Sequence, residues 1–160
     1  MASAGFAEER LTEERKHVRR ERPHGFFAKP VKKPDGSMDL FTWTAGVPGE
    51  AGTPWEGGVY KLNMYFPEDF PAKPPKCQFD PPLFHPNVYP SGTICLSILN
   101  AEKGWEPSHS VLQVLKGVQL LLNTPNLDDP AQREAYDLMR RDVAAYEARV
   151  REVAKANTPA

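Results

Sequence analysis

Residues 81–99 read Pro-Pro-Leu-Phe-His-Pro-Asn-Val-Tyr-Pro-Ser-Gly-Thr-Ile-Cys-Leu-Ser-Ile-Leu. This stretch shows neither the two-residue alternation of a β-strand nor the spacing of an amphipathic helix, and the lack of a period continues to residue 109. It is rich in proline but also in aromatic and aliphatic residues, which favours a rigid folded loop over a flexible linker. Because long non-periodic segments inside compact domains are usually functional, we predict a structured, functional loop here.

The segments before this loop carry strand patterns. Residues 59–66 alternate most clearly, with an apolar residue at every even position. Three shorter patterns occur at residues 26–29, 39–45 and 76–80. A Lys-Pro-Asp-Gly turn at 33–36 joins the first two of these. Strands that are close in sequence usually pair with their neighbours, so we predict a four-stranded antiparallel meander.

Helix signals lie on both sides of the strands. An N-terminal helix is predicted over residues 7–22, where Pro23 ends it. After the loop, Ser110 and Gln113 form a capping box before a broad apolar face that ends near residue 123. A second capping box, Asp129-Pro130-Ala131-Gln132, predicts a helix that continues almost to the C-terminus. The order of helix, four strands, structured loop and C-terminal helices packed on the sheet indicates an α+β fold, in a single domain that spans residues 1–160.

The composition is that of an ordinary soluble globular protein, with 40% hydrophobic residues and 20 basic against 21 acidic residues. The charge is uneven, because residues 1–33 hold nine Lys or Arg and five Asp or Glu. This basic region predicts docking to an acidic partner, while the nearly neutral total argues against nucleic acid. No apolar run approaches the roughly 20 residues of a membrane span, and the N-terminus lacks the apolar core of a signal peptide. We expect an intracellular protein that binds neither membrane nor nucleic acid.

The two cysteines, Cys77 and Cys95, form no Cys-x-x-Cys pair, so neither a disulfide scaffold nor a metal site is expected. Cys77 alternates with Phe79 in a strand pattern and is predicted to lie in the core. Cys95 lies in the non-periodic loop, and it is either a small buried hydrophobe or a nucleophile. A protease-type pairing of Cys95 with His85 is not favoured, because a histidine between an aromatic residue and a proline better suits a structural hydrogen bond.

A composite motif favours the nucleophile. His85-Pro86-Asn87, followed by Cys95-Leu96-x-Ile98-Leu99 and Trp105-x-Pro107, resembles the active-site signature of the ubiquitin-conjugating enzyme family. The resemblance extends over essentially the whole chain, and within the family it is greatest to the branch that conjugates SUMO. Four features carry this finer resemblance: the basic helix Arg15-Lys16-x-x-Arg19-Arg20, the long loop at 48–58, Ser97 within the run 85–99, and Asp129-Pro130-Ala131-Gln132.

The resemblance implies acyl transfer in two steps through Cys95. The thiol would accept the modifier's C-terminal acyl group as a thioester and then lose it to a lysine of a target protein. A thiolate suits both steps, because it is a good nucleophile and a good leaving group. By resemblance, Asn87, Tyr89 and Asp129 surround the incoming lysine. Asp129 would orient the amine as well as cap a helix, and Asn87 would support the oxyanion, either directly or by holding the loop.

The resemblance also implies how targets are chosen. The SUMO-conjugating branch recognises a short motif, apolar–Lys–x–acidic, beside the cysteine. Lys76, Ser91 and Thr93 match the positions that bind the acidic residue, and a cation with two hydroxyls suits a carboxylate. Tyr89 and Ala131 match the apolar side of the motif.

The expected partners follow from the same resemblance. Arg15, Lys16, Arg19 and Arg20 would dock SUMO and the SUMO-activating enzyme, both of which present acidic surfaces. SUMO ligases are expected as further partners. No cofactor is expected on this chain, because the activating enzyme would use the ATP and magnesium. We expect a monomer that resides in the nucleus and the cytoplasm.

Two alternatives stay open. The chain is charged with ubiquitin in the first, although the basic helix, the long loop and Ser97 argue against it. In the second it is a catalytically silent binding module, although Cys95 and Asn87 are both present. Arg133 and Asn100-Ala101 depart from the pattern of related sequences, and their effect on target contacts does not follow from the sequence.

Overall fold

The computed structural model describes residues 2–160. Its elements occur in the order α1 (Ala2–Glu21), β1 (Phe27–Lys32), β2 (Met38–Pro48), β3 (Val59–Tyr65), β4 (Lys76–Phe79), a short 3₁₀ helix (Ser97–Leu99), α2 (Val111–Asn123), α3 (Arg133–Arg141) and α4 (Val143–Ala156). The predicted α+β order is confirmed. Within residues 2–160, no helix combines the length and the apolarity needed to cross a bilayer.

The four strands form an antiparallel meander in the order β1-β2-β3-β4, as predicted. β2 is longer than the sequence pattern indicated, and β1 extends three residues further. The pattern of β1 was obscured by Pro30, which has no backbone N–H to donate. The sheet accommodates this proline on its edge strand, where the register with β2 shifts between Pro30 and Val31.

The core lies between one face of this sheet and α2. Every second residue of β3 is buried, and Cys77 and Phe79 of β4 lie on the same inner face. α2 contributes seven buried residues and begins with the predicted capping box. The Gln113 N–H donates to Ser110 Oγ at 3.1 Å, and the Ser110 N–H donates to Gln113 Oε1 at 2.8 Å.

α1 is connected to the start of α2 through Arg10 and Glu14, which form a partly buried ion pair that the sequence pattern did not reveal. Arg10 Nε donates to Glu14 Oε2 at 3.0 Å, and the other carboxylate oxygen of Glu14 accepts the N–H of Val111 at 2.7 Å. The Arg10 guanidinium also donates to the carbonyls of Pro107 and His109. Glu14 therefore satisfies one of the free N–H groups at the N-terminus of α2.

The loop between β2 and β3 packs against His85 of the functional loop. The Tyr60 hydroxyl donates to the Trp55 carbonyl at 2.6 Å, and the Trp55 ring packs edge-on against Tyr60 and beside His85. At Gly49, a Cβ atom would lie 1.8 Å from the Trp55 carbonyl oxygen, so only glycine allows this close approach.

The C-terminal part differs from the prediction in two ways. The proposed helix start at Asp129 is wrong, because α3 begins only at Arg133. The single long helix is also wrong, because Asp142 ends α3 with extended backbone and caps α4, its carboxylate accepting the Ala145 N–H at 3.0 Å. α3 and α4 pack against each other, and Tyr146 of α4 contacts Phe84 in the functional loop.

Candidate active site

Cys95 lines a surface groove next to the edge of β4. The segment before it continues the sheet, because Gln78 pairs with Thr93 and the Ile94 N–H donates to the Cys77 carbonyl at 2.9 Å. The Cys95 N–H donates to the Asn87 carbonyl at 2.9 Å. The residue is half-buried, so its thiol is held in place but accessible. The other groove residues include Asn87, Ser97, Lys103, Leu120, Thr124 and Asp129.

The Asn87 side chain is fully engaged with the segment that leads to α3. Its Nδ2 donates to the carbonyls of Asn126, at 2.7 Å, and Asp129, at 2.9 Å. Its Oδ1 accepts the Asn126 N–H at 2.8 Å. The residue is buried, and both amide protons are used. This geometry supports the holding role for Asn87 rather than direct donation to an oxyanion.

Asp129 is exposed and its carboxylate accepts no hydrogen bond from the described residues, so it is not the helix cap that the sequence predicted. Its position is determined through its backbone carbonyl, which Asn87 binds. Both carboxylate oxygens are therefore free to contact a ligand in the groove.

Gln132 explains why the predicted capping box does not form. Its Nε2 donates to the carbonyls of Leu83, at 3.0 Å, and Val88, at 2.8 Å. The neighbouring Ala131 N–H donates to the Pro86 carbonyl at 2.7 Å. These bonds hold residues 129–132 against the functional loop in a non-helical conformation, because they engage groups that a helix start would use internally. Sequence reasoning missed this role, since it depends on partners more than 40 residues away.

Two of the residues predicted to bind the target's acidic side chain, Ser91 and Thr93, lie together. The Ser91 and Thr93 hydroxyls are 2.9 Å apart in a tight turn, which is closed by the bond from the Tyr89 N–H to the Thr93 carbonyl. Gly92 has φ of 93° there, and a Cβ atom would lie 2.2 Å from the Phe79 carbonyl oxygen. Continuing the pairing of Gln78 with Thr93 by two residues puts exposed Lys76 opposite Cys95.

Tyr89 and Ala131 lie on segments that flank Asn87. Tyr89 begins the turn that carries Ser91 and is 45% exposed, so its ring is available to a ligand. Ala131 is half-buried on the segment that follows Asp129. Asn87 and Asp129 line the same groove as Cys95, whereas Tyr89, Ala131 and Lys76 lie outside its lining.

His85 is a structural residue, as the sequence indicated. Its Nδ1 accepts the Asn87 N–H at 3.0 Å, and its Nε2 lies 2.8 Å from the Leu121 carbonyl and 3.2 Å from that of Leu122. These partners require the neutral tautomer with a proton on Nε2. Burial lowers the pKa of His85 to about 4, although the two carbonyls oppose this shift. With both nitrogens occupied, the ring is not placed to act as a base toward Cys95.

Cys77 is a core residue, as predicted. It is fully buried, and burial raises the pKa of its thiol to about 12. Among the described residues, no cluster of three or more His, Cys, Asp or Glu side chains could hold a metal ion. Asn100 stabilises the loop after the 3₁₀ helix, since its Oδ1 accepts the Glu102 N–H at 2.8 Å.

The basic residues of α1 form a separate surface. Arg15, Lys16, Arg19 and Arg20 lie on α1, and none of them lines the Cys95 groove. Lys16 and Arg20 make only exposed ion pairs, with Glu13 at 3.4 Å and Glu21 at 3.8 Å. We call these four residues the basic patch of α1. Because exposed ion pairs contribute little to stability, the patch is available for a partner.

Comparisons with known proteins identify the family of this chain. Residues 10–154 match the family model described as "Ubiquitin-conjugating enzyme". The chain is 56% identical to SUMO-conjugating enzyme UBC9 of Caenorhabditis elegans, over 94% of this chain and 91% of that protein. It is 54% identical to SUMO-conjugating enzyme SCE1 of Arabidopsis thaliana, over 93% of each chain. It is 51% identical to Sumo-conjugating enzyme ubc9 of Dictyostelium discoideum, over 98% of each chain. A family model that spans nearly the whole chain, around an accessible thiol, shows that this chain belongs to the ubiquitin-conjugating enzyme family.

Proposed function

We propose that this chain is a SUMO-conjugating enzyme that carries SUMO as a thioester on Cys95 and transfers it to lysine side chains of target proteins. The observation that carries the chemistry is the half-buried thiol in a groove whose wall also presents the free carboxylate of Asp129. The three relatives, each more than 50% identical over nearly the full chain, support SUMO as the modifier.

In the first step the thiolate of Cys95 attacks the thioester carbonyl of SUMO on its activating enzyme. The new C–S bond to Cys95 forms while the C–S bond to the activating enzyme breaks, and that enzyme's thiolate leaves. Because one thioester replaces another, the exchange is nearly balanced in free energy. An accessible thiol is therefore more important than a strong local base.

In the second step the target's lysine amine attacks the thioester on Cys95. A C–N bond forms, the C–S bond breaks, Cys95 leaves as thiolate, and the nitrogen releases one proton to solvent as the amide forms. A lysine with a pKa of about 10.4 is uncharged in only about one molecule in 2,500 at pH 7. Desolvation that lowers this pKa by roughly three raises the free-amine fraction almost a thousandfold.

Asp129 and Asn87 divide the work of placing the amine. The Asp129 carboxylate is free to accept a hydrogen bond from the lysine and so to aim it at the thioester. Its charge by itself would raise the lysine pKa, so orientation and desolvation must outweigh that effect. Asn87 acts as a positioning residue, because its amide holds the segment on which Asp129 lies. Tyr89 adds an apolar ring beside the lysine.

The target's sequence is recognised on both sides of Cys95. Lys76, Ser91 and Thr93 bind the acidic residue that follows the lysine, with one cation and two neighbouring hydroxyls. Tyr89 and Ala131 accept the apolar residue that precedes it. The basic patch of α1 docks SUMO and the activating enzyme through their acidic surfaces. SUMO ligases are further partners, and the enzyme acts as a monomer.

The chain itself needs no cofactor in this scheme. ATP and magnesium are consumed by the activating enzyme, which makes the first thioester. The enzyme works in the nucleus and the cytoplasm, where targets and the activating enzyme are available.

A charging assay tests the proposal. The protein is mixed with the matching activating enzyme, ATP, and either SUMO or ubiquitin, and the products are separated with and without reducing agent. We expect a reductant-sensitive adduct with SUMO only, absent in Cys95→Ala and retained in Cys77→Ala. An adduct with ubiquitin instead would contradict the choice of modifier. A folded protein that forms no adduct with either would make it a binding module.

A further inference from the structure

We propose that Arg133 makes this enzyme prefer targets with an acidic side chain two to four residues before the modified lysine. This inference rests on the proposed function and adds to it a second, charge-dependent contact on the opposite side of Cys95 from Lys76.

Arg133 directly follows the segment that is held against the functional loop. Asn87 binds the Asp129 carbonyl, Ala131 binds Pro86, and Gln132 binds Leu83 and Val88. These contacts place the first residue of α3 at the side of the site where a target's preceding residues would lie. Arg133 also lines a shallow surface depression that begins at Pro130 and Ala131.

The Arg133 guanidinium makes no hydrogen bond or ion pair with residues 5–160. It is exposed and makes no ion pair, whereas its neighbour Glu134 pairs with Arg149 at 2.7 Å. It also occupies the first turn of α3, where the free N–H groups disfavour a positive charge. The charge of Arg133 therefore contributes nothing evident to the stability of the fold, and it is available to a ligand.

Other charges face the same depression. Asp137 lines it one turn further along α3 and makes no ion pair with Arg133. The Arg140 guanidinium lies 5.5 Å from the centre of the Tyr136 ring, which is also part of the lining. Among the residues that line the depression, Arg133 is the one cation and Asp137 the one anion, and because the two are not paired, the Arg133 guanidinium can attract an acidic side chain.

The direction of a bound target follows from the proposed contacts. Lys76, Ser91 and Thr93 bind the acidic residue that follows the lysine, and the lysine points at Cys95. The residues that precede the lysine therefore run toward Ala131. An extended peptide advances about 3.3 Å per residue, so two to four residues before the lysine span roughly 7–13 Å. An arginine side chain at position 133 can meet an acidic side chain within that range.

Two matched peptides test the preference. Both carry an apolar–Lys–x–Glu core, and they differ only in glutamate or glutamine three residues before the lysine. Enzyme already charged with SUMO is mixed with each peptide at low ionic strength, and kcat/KM for discharge is measured per charged enzyme. We expect the glutamate peptide to react about two- to fivefold faster with the natural protein, the range of one exposed ion pair.

Variants identify the residue responsible. The preference should disappear in Arg133→Ala and reverse in Arg133→Glu, while Arg141→Ala at the other end of α3 should retain it. Equal rates with the natural protein, or a preference that survives Arg133→Ala, would overturn the inference and leave the proposed function intact. A protein that forms no thioester on Cys95 at all would overturn both, and the charging gel reveals this before any peptide is added.

Discussion

The Asn87 side chain donates a hydrogen bond to the Asp129 carbonyl, and the two side chains have different roles. The Asn87 side chain is buried and makes three hydrogen bonds, whereas the Asp129 carboxylate is exposed and makes none among the described residues. Substitution of Asp129 should therefore slow acyl transfer with little effect on stability, whereas substitution of Asn87 should affect both.

For Asp129→Ala we expect a free energy of unfolding within about 0.5 kcal/mol of the natural protein, because no folded contact of the side chain is lost. Discharge of the Cys95 thioester to lysine should slow about 10- to 100-fold, because the amine is no longer oriented. Urea unfolding and single-turnover discharge measure the two effects. A loss of more than about 1 kcal/mol would indicate the helix-cap role that the structure excludes.

For Asn87→Ala we expect both the free energy of unfolding and the rate of thioester discharge to decrease. The change leaves the Asn126 N–H and the carbonyls of Asn126 and Asp129 without their partner in a partly buried network, which costs roughly 1–3 kcal/mol of unfolding free energy. Discharge should slow as well, because the Asp129 segment is no longer held. The same two measurements apply. Normal stability with slow discharge would favour a direct oxyanion contact instead.

His85 gives the fold a pH dependence with a definite sign. Its pKa is about 4 in the folded protein and about 6.5 when unfolded, so the unfolded chain binds more protons between these values. Its contribution is complete above pH 6.5 and is lost as the pH falls toward 4, which amounts to about 3 kcal/mol. We expect the free energy of unfolding to fall more steeply in the natural protein than in His85→Gln as the pH is lowered from 6.5 to 4. If the variant does not fold, NMR of the natural protein decides: a His85 ring that titrates near pH 6.5 would contradict this.

Among the elements, α1 and α2 depend on each other through Glu14. Glu14→Ala removes the acceptor of the Val111 N–H and leaves the Arg10 guanidinium without its carboxylate. We expect a loss of about 1–3 kcal/mol in the free energy of unfolding, because a buried N–H loses its partner. Glu13→Ala is the matched control, since Glu13 pairs with Lys16 in solvent, and it should cost at most about 0.5 kcal/mol. Equal effects of the two changes in urea unfolding would refute the capping role.

At the scale of the whole molecule, the basic patch of α1 and the Cys95 groove are distinct surfaces. Arg15→Glu with Arg19→Glu should slow thioester formation about tenfold or more, because association with an acidic partner is steered by charge. Arg151→Glu with Lys155→Glu changes the net charge equally on α4 and should have little effect. Charging rates should also converge as salt rises above about 0.15 M, where the Debye length is about 8 Å. A similar slowing by both double variants would mean that net charge, and not the α1 surface, matters.

Local pattern was sufficient for the elements whose bonds are local. The capping box of Ser110 and Gln113 closes within four residues, and the alternation of β3 reports directly which side chains face the core. The different environments of Cys77 and Cys95 were predicted in the same way, because Cys77 alternates in a strand pattern and Cys95 lies in a non-periodic loop. The Asp142 cap was a local signal that the apolar stripe across α3 and α4 concealed.

The sequence by itself therefore determined the α+β order, the meander, the position of α2 and the family to which the chain belongs. Only the tertiary structure decided that Asn87 is a holding residue, that Asp129 is free rather than a cap, and that Gln132 and Glu14 hold distant segments together. The physical reason is the range of the contacts. Glu14 and Val111 are 97 residues apart, and Gln132 and Val88 are 44 apart. Asp129 and Gln132 match a helix start in sequence, but the bonds of Ala131 and Gln132 to the functional loop exist only after the chain has folded, and they prevail over that local preference.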